Sequence, residues 1–243
     1  MLLPERAMAN QPQGGAVKNK ILARLSPSDL RLLEPNLALV NLPFRKMLEA
    51  RNRRIEYVYF IHAGFASIVA SNKNLQSTEV GIIGVEGVTG LPVLLGASRA
   101  MHETYMQLAG YGSRISAAHL RAAMEESATL RRVLLRSAYA FLTQVSFTAV
   151  SNGRSKLEAR LARWLLMAQD RSDGDDLILT HELLARMLGV RRPGVTTALS
   201  ALEDKGLINP RRGVIAINDR EGLKRAANGA YGSPEAEWQS LFD

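Results

Sequence analysis

Between residues 178 and 217, apolar positions follow two successive helical patterns and then a short alternation. Leu183, Leu184, Met187 and Leu188 recur at helical spacing and give a first helix one buried face. Thr180 is placed to cap its free amide donors, Glu182 lies near the positive end of its dipole, and Gly189 stops it. A second helix is expected from Pro193 to about Asp204, with Val195, Ala198, Leu199 and Leu202 in one inward sector. After Gly206, Leu207-Ile208, a turn over Asn209 to Gly213 and a strand from Val214 to Ile217 predict a small hairpin. Helix, tight turn, helix and hairpin together make a winged helix-turn-helix.

The outward sector of the second helix holds Pro193, Thr197 and Ser200, flanked by Gly194, Thr196 and Ala201, with Arg191 and Arg192 at its start. These are mostly small. Small residues let a helix axis approach base edges, and paired arginines suit a groove with an anionic rim. The hairpin tip, Arg211-Arg212, can hold a phosphate. The expected DNA-binding set is therefore Thr180, Arg191, Arg192, Pro193, Gly194, Thr196, Thr197, Ser200, Arg211 and Arg212, with double-stranded DNA as partner. A pair of helices that merely packs is the alternative, and the charge counts against it. The chain carries 31 Lys and Arg against 23 Asp and Glu, net +8, and six of the basic residues fall between Arg186 and Gly213 with only Glu203 and Asp204 opposing them.

The amino-terminal half has a different texture. Short helices are expected over 21–34, with Ser26 and Pro27 at a helix start. From Val40 to about Ile115 the pattern turns to short apolar segments punctuated by glycine. They include Tyr57 to Ile61, Phe65 to Ala70 after Gly64, Met101 to Ala109 and Gly110 to Ile115, and they argue for a β-roll or sandwich. Between the halves, a long helix from about Ser127 to Val150 carries Leu130, Leu134, Ala138, Phe141, Val145 and Thr148 at spacings of three and four. That spacing suits a dimerisation seam or the face of a core helix. Pairing has an independent reason, because one recognition helix covers few base pairs and a two-fold pair reads a palindrome. A further helix, Ser155 to Ala168, leads through the polar link Asp170 to Asp176 into the winged unit.

The chain's 243 residues suit two domains in an α+β arrangement. The expected division is 1–18 as a disordered start, 19–126 as the roll, 127–152 as the dimerisation helix, 153–226 as the winged unit and 227–243 as a tail that is loose as far as Glu237-Trp238. There are no cysteines, which excludes disulfides, thiolate zinc sites and cysteine-ligated iron-sulfur clusters. His62, His102, His119 and His181 are scattered, so no metal site and no cofactor is expected. No uninterrupted apolar run approaches about 20 residues and no signal-peptide core is present, so a cytoplasmic location without membrane attachment is expected.

In this order of elements the chain resembles the Crp/Fnr superfamily of bacterial transcription regulators over nearly its whole length, most closely at Tyr59 to Gly64, Glu86 to Gly90 and Leu179 to Ile208. The resemblance implies a roll of the cyclic-nucleotide-binding type and a sequence-specific homodimeric regulator that meets RNA polymerase. It places Arg192, Pro193 and Thr197 at the base-reading positions, with Arg191, Gly194 and the Arg211-Arg212 wing near phosphates. Better-known members often have a glutamate and a second arginine where Pro193 and Thr197 stand, so the usual operator does not carry over. In members that bind cyclic nucleotides, a Gly-Glu pair holds the ribose and a following Arg-Ser or Arg-Thr holds the phosphate. Here the stretch reads Gly90-Leu91-Pro92, and Arg99 is followed by Ala100. Gly90, Leu91, Arg99 and Ala100 remain as candidate effector residues, and the expectation is a regulator not driven by cyclic AMP. It would answer an unidentified small ligand or act constitutively.

Two other classes compete. An enzyme would need a nucleophile elbow, a metal-binding histidine pair or an acidic pair in a motif, and the sequence has none of these. A non-DNA-binding interaction module of the same fold would give up the salt-dependent affinity that phosphate contacts produce.

Overall fold

A computed structural model of the chain describes residues 18–72, 77–172 and 174–242. The expectation of a disordered start lies, except for Lys18, outside the described residues. The roll opens with a 3-10 turn (Leu22–Arg24) and α1 (Pro27–Leu33), where the Ser26 hydroxyl accepts the Asp29 amide as helix cap. Its strands are β1 (Ala38–Leu42), β2 (Met47–Glu49), β3 (Tyr57–Ser71), β4 (Ser77–Ile83) and β5 (Glu103–Ser116), with the short α2 (Leu91–Leu94) between the last two. They form one antiparallel sheet in the order β1-β5-β3-β4, and β2 also pairs with β5.

The glycine punctuation in this half bends strands instead of ending them. Tyr57 to Ser71 is a single strand through Gly64, and Glu103 to Ser116 a single strand through Gly110, where four separate segments were expected. The pairing register of β3 with β5 shifts at Ile61/Ala63, Ala63/Phe65 and Phe65/Ala66. A Cβ on Gly64, at φ +75°, would sit 2.4 Å from the Leu108 carbonyl oxygen, and one on Gly110 would sit 1.8 Å from that of Ala63. Only glycine lets two backbones pass this closely, so the paired strands fold over together at this point.

α3 (Ala117–Glu126) and the long α4 (Ala128–Arg154) close the roll. Leu130, Leu134 and Ala138 of α4 are buried in the roll core with Phe60, Val88 and Leu120. Phe141 packs against the roll at Gly81, and Thr148 lines a small space beside Glu79. Of the expected seam, Leu130, Leu134 and Ala138 therefore face the chain's own roll, as the core-helix alternative has it, while Phe141, Val145 and Thr148 are half-buried. The unpartnered stripe lies one residue further on, where Leu135, Tyr139, Leu142 and Val150 are 40, 53, 52 and 62 % exposed and Ser146 and Ala149 lie between. A shift of one residue is about 100° around a helix, enough to exchange the inner face for the outer. With apolar residues on both faces, α4 is also, by length and composition alone, long and apolar enough to cross a membrane.

α5 (Leu157–Gln169) begins the second half, followed by β6 (Asp176–Ile178), α6 (His181–Leu188), α7 (Arg192–Asp204), β7 (Ile208–Arg211), β8 (Val214–Ile217) and α8 (Arg220–Ala226). The wing is a three-stranded sheet in the order β6-β8-β7. Asn209 and Pro210 lie within β7 and not in the turn, since an edge strand tolerates a proline that cannot donate. In the tail, expected to be loose as far as Glu237-Trp238, a helix already begins at Ser233: α9 (Ser233–Phe242) packs along α4. One continuous apolar core joins Trp164, Leu165, Leu184, Leu199 and Ile215 to Phe65, Val69, Ile82 and Tyr105 of the roll. The two halves are thus packed together through α5 and α6.

Candidate nucleic-acid interface

The Thr180 hydroxyl accepts the Leu183 amide at 3.2 Å and caps α6, whose inner face is Leu184, Ala185, Met187 and Leu188. Gly189 ends it in the left-handed conformation, at φ +63°. It also backs onto β4: a Cβ there would lie 3.0 Å from the Thr78 hydroxyl oxygen, and that hydroxyl donates to the Met187 carbonyl at 3.2 Å. The helix pair is therefore seated on the roll by its α6 side. α7 is left facing outward.

On α7, Val195, Ala198, Leu199 and Leu202 are buried, whereas Arg191, Arg192, Pro193, Thr196, Thr197 and Ser200 are exposed. Gly194 differs from the others. Its α-carbon faces α5, where a Cβ would stand 3.2 Å from Leu157, so its small size serves packing within the domain. The Thr197 hydroxyl donates to the Pro193 carbonyl at 3.2 Å, leaving its oxygen lone pairs and its methyl group turned outward. Thr196 is tied to His181, whose Nδ1 lies 3.0 Å from its hydroxyl. His181, which sequence reasoning set aside as a metal or cofactor ligand, thus adjoins the exposed face through a link that spans fifteen residues and exists only once the helices are packed.

Charge sorts the basic residues into two groups. Lys205 is paired with Glu158, and the Arg186 guanidinium sits 5.6 Å over the Tyr105 ring, so both serve the fold. Arg191, Arg192, Arg211 and Arg212 form no ion pair among the described residues and are exposed. Gly213, at φ +79°, makes the tight turn that holds the last two at the wing tip. Four unpaired cations thus bracket a helix face of small side chains, an arrangement that can meet two phosphate rows with the helix between them.

Of the candidate effector residues, Leu91 and Ala100 pack in or against the roll core, while Gly90 and Arg99 bond to the chain itself. The Gly90 amide donates to Glu49 Oε1 at 2.8 Å, so the chain's own carboxylate occupies that donor. Burial pushes the Glu49 carboxyl up, against hydrogen bonds from Gly90 and Thr104 that pull it down. Arg99 donates to the Asn52 carbonyl at 3.1 Å on the exposed side, Ala100 is buried in the roll core, and Leu91 packs at its margin. The cavity of about 360 Å³ lies elsewhere, between Ile82 and Val88, α4 and the tail. His62 is structural: it accepts the Asn19 amide at 3.1 Å and meets the Ser113 hydroxyl at 2.8 Å.

Comparison with known proteins agrees with this geometry. Residues 159–226 match the family described as the Crp-like helix-turn-helix domain. Among curated proteins no sequence matches the chain. Among solved structures, a Crp/Fnr-family transcriptional regulator from Eubacterium rectale aligns with a TM-score of 0.70 at 17 % identity, covering 86 % of this chain and 98 % of its own. FixK2 from Bradyrhizobium japonicum aligns at 0.68 and 16 % identity over 78 % of this chain and 96 % of its own. A CRP-family transcriptional regulator from Thermus thermophilus aligns at 0.66 and 17 % identity over 80 and 99 %. The chain therefore has the fold of the Crp/Fnr transcription regulators and carries their helix-turn-helix domain at its carboxyl-terminal side.

Proposed function

We propose that the chain is a cytoplasmic, DNA-binding transcription regulator that reads a palindromic site as a homodimer, with α7 in the major groove and the wing on the backbone. The observation that carries this reading is the exposed α7 face bracketed by Arg191, Arg192, Arg211 and Arg212, none of them in an ion pair among the described residues. Arg192 is the base reader, able to fork onto a guanine edge, and Thr197 offers a hydroxyl or a methyl group. Arg191 and the wing hold phosphates. The exposed stripe Leu135, Tyr139, Leu142, Ser146 and Ala149 on α4 follows a four-three spacing and supports pairing of two copies along this helix.

Cyclic nucleotide does not drive this regulator in our reading. The supporting observation is Glu49, whose buried carboxyl already accepts the Gly90 amide, so that donor is occupied by the chain itself. The roll serves to dimerise and position the reader, to answer a different small molecule, and to meet RNA polymerase. Selection of bound duplexes from a random pool, with and without cyclic AMP, tests the proposal. A two-fold motif recovered equally in both arms is expected, and recovery of no motif would overturn the reading.

A further inference from the structure

The segment after α8 has one end in each half of the molecule. Ala227 and Tyr231 belong to the core of the winged unit, whereas Trp238 and Phe242 pack against the core of the roll. Its first part is tied to the winged half. Arg163 Nε donates to the Ala230 carbonyl at 2.9 Å, and the Tyr231 hydroxyl donates to Asp170 at 2.6 Å while accepting from Arg220 at 2.8 Å. Its last part is tied to the roll. The Trp238 indole donates to the Glu86 carbonyl at 3.0 Å, with the Arg24 guanidinium 4.6 Å over its ring and the Phe242 ring 4.9 Å away.

Glu86 is held twice. Its carbonyl takes Trp238, and its carboxylate takes the buried Arg171 at 2.7 Å, just beyond the end of α5. The roll loop is thereby fixed from both the tail and the entrance to the winged unit. The seat of α9 is nonetheless incompletely filled. The cavity of about 360 Å³ lies beneath it, lined by Ile82, Phe141 and Trp238 and by Ser137, a polar residue only 5 % exposed. An interface resting on a few anchors beside an open cavity opens at less cost than a continuously packed one.

We propose that α9 is an internal latch: through Trp238 on Glu86 it adds to the shared core in holding the winged unit at its orientation on the roll. The proposal rests on the dimeric DNA-reading function above. Two readers at fixed orientation meet two half-sites at once, whereas a freed pair has a much lower effective concentration for the second half-site. Loss of the latch weakens binding to a full palindrome and spares binding to one half-site.

The test uses full-length Trp238→Ala and, as a milder variant that leaves both cores intact, Arg24→Gln. Affinity is measured for a selected palindrome and for the same duplex with one half-site scrambled, alongside amide hydrogen exchange. Trp238→Ala should weaken the palindrome by roughly tenfold and leave the half-site unchanged, with faster exchange over 85–88 and 170–172, and Arg24→Gln should follow in the same direction by less. Equal weakening on both duplexes, or an unchanged palindrome affinity, overturns the latch. If the unaltered protein binds no DNA, the regulator reading falls, and the latch then stands if exchange rises over those segments and falls if it does not.

Discussion

Trp164 donates its indole N–H to the carboxyl of Glu79 at 2.6 Å, joining α5 of the winged half to β4 of the roll. The same carboxyl meets the Ser67 hydroxyl at 2.5 Å, and both Glu79 and Trp164 are buried. Burial pushes the Glu79 carboxyl up to about 7, although hydrogen bonds from Ser67 and Trp164 and the charges of Arg163 and Arg171 all pull it down.

This buried acid makes the docking of the two halves sensitive to pH. Between about 4.5, the ordinary carboxyl value, and about 7, the folded chain keeps a proton that the unfolded chain has released. Its contribution therefore falls as pH rises through this window, by on the order of 3 kcal/mol in all. Urea unfolding at pH 5.5 and pH 8 should give a lower midpoint at pH 8, and Glu79→Gln should remove most of that difference. A pH dependence that survives the substitution would refute the assignment.

Arg192→Ala is expected to cost about 1–3 kcal/mol per half-site and to relax preference at one base pair. Arg211→Ala or Arg212→Ala should weaken all duplexes alike and lower the slope of log affinity against log salt by about one for each phosphate no longer held. Titrations at several salt concentrations separate the two behaviours. Equal effects from Arg192 and the wing would count against Arg192 as a base reader.

If two copies pair along α4 as proposed, Leu142→Glu should leave the chain monomeric with its fold intact, because Leu142 is exposed along the α4 stripe. Leu134→Glu should instead unfold the roll, since Leu134 is fully buried and a charge there has no partner. Sedimentation with circular dichroism distinguishes these outcomes. A Leu142→Glu protein that remains dimeric would place the pairing surface elsewhere.

Gly64→Ala should destabilise the roll by at least about 1–3 kcal/mol, the cost of a strained left-handed backbone, before the clash with the Leu108 carbonyl is counted. Thermal unfolding checks this directly, and a neutral result would mean that the strands can separate at their bend.

Local signals carried far in the winged half. Thr180 caps α6, Gly189 ends it, and the inner face of α7 is Val195, Ala198, Leu199 and Leu202, because each feature depends on neighbours within a few residues. Local signals misled where glycines stood between apolar runs, since a glycine that ends a strand and one that bends it look alike in sequence. The tail was unreadable for a related reason: Trp238 finds its partners at Glu86 and Arg24, far away along the chain.

The sequence by itself determined the helix pair and hairpin of the winged half, the arginines at the start of α7 and the absence of thiol chemistry, since periodicity, capping and composition are local properties. The tertiary structure alone decided which face of α4 is free, that Gly194 serves packing, that Glu49 fills the Gly90 donor, and that the tail spans both halves. Each of these depends on which surfaces meet. A spacing of three and four residues fixes the period of a helix but not the direction in which it points.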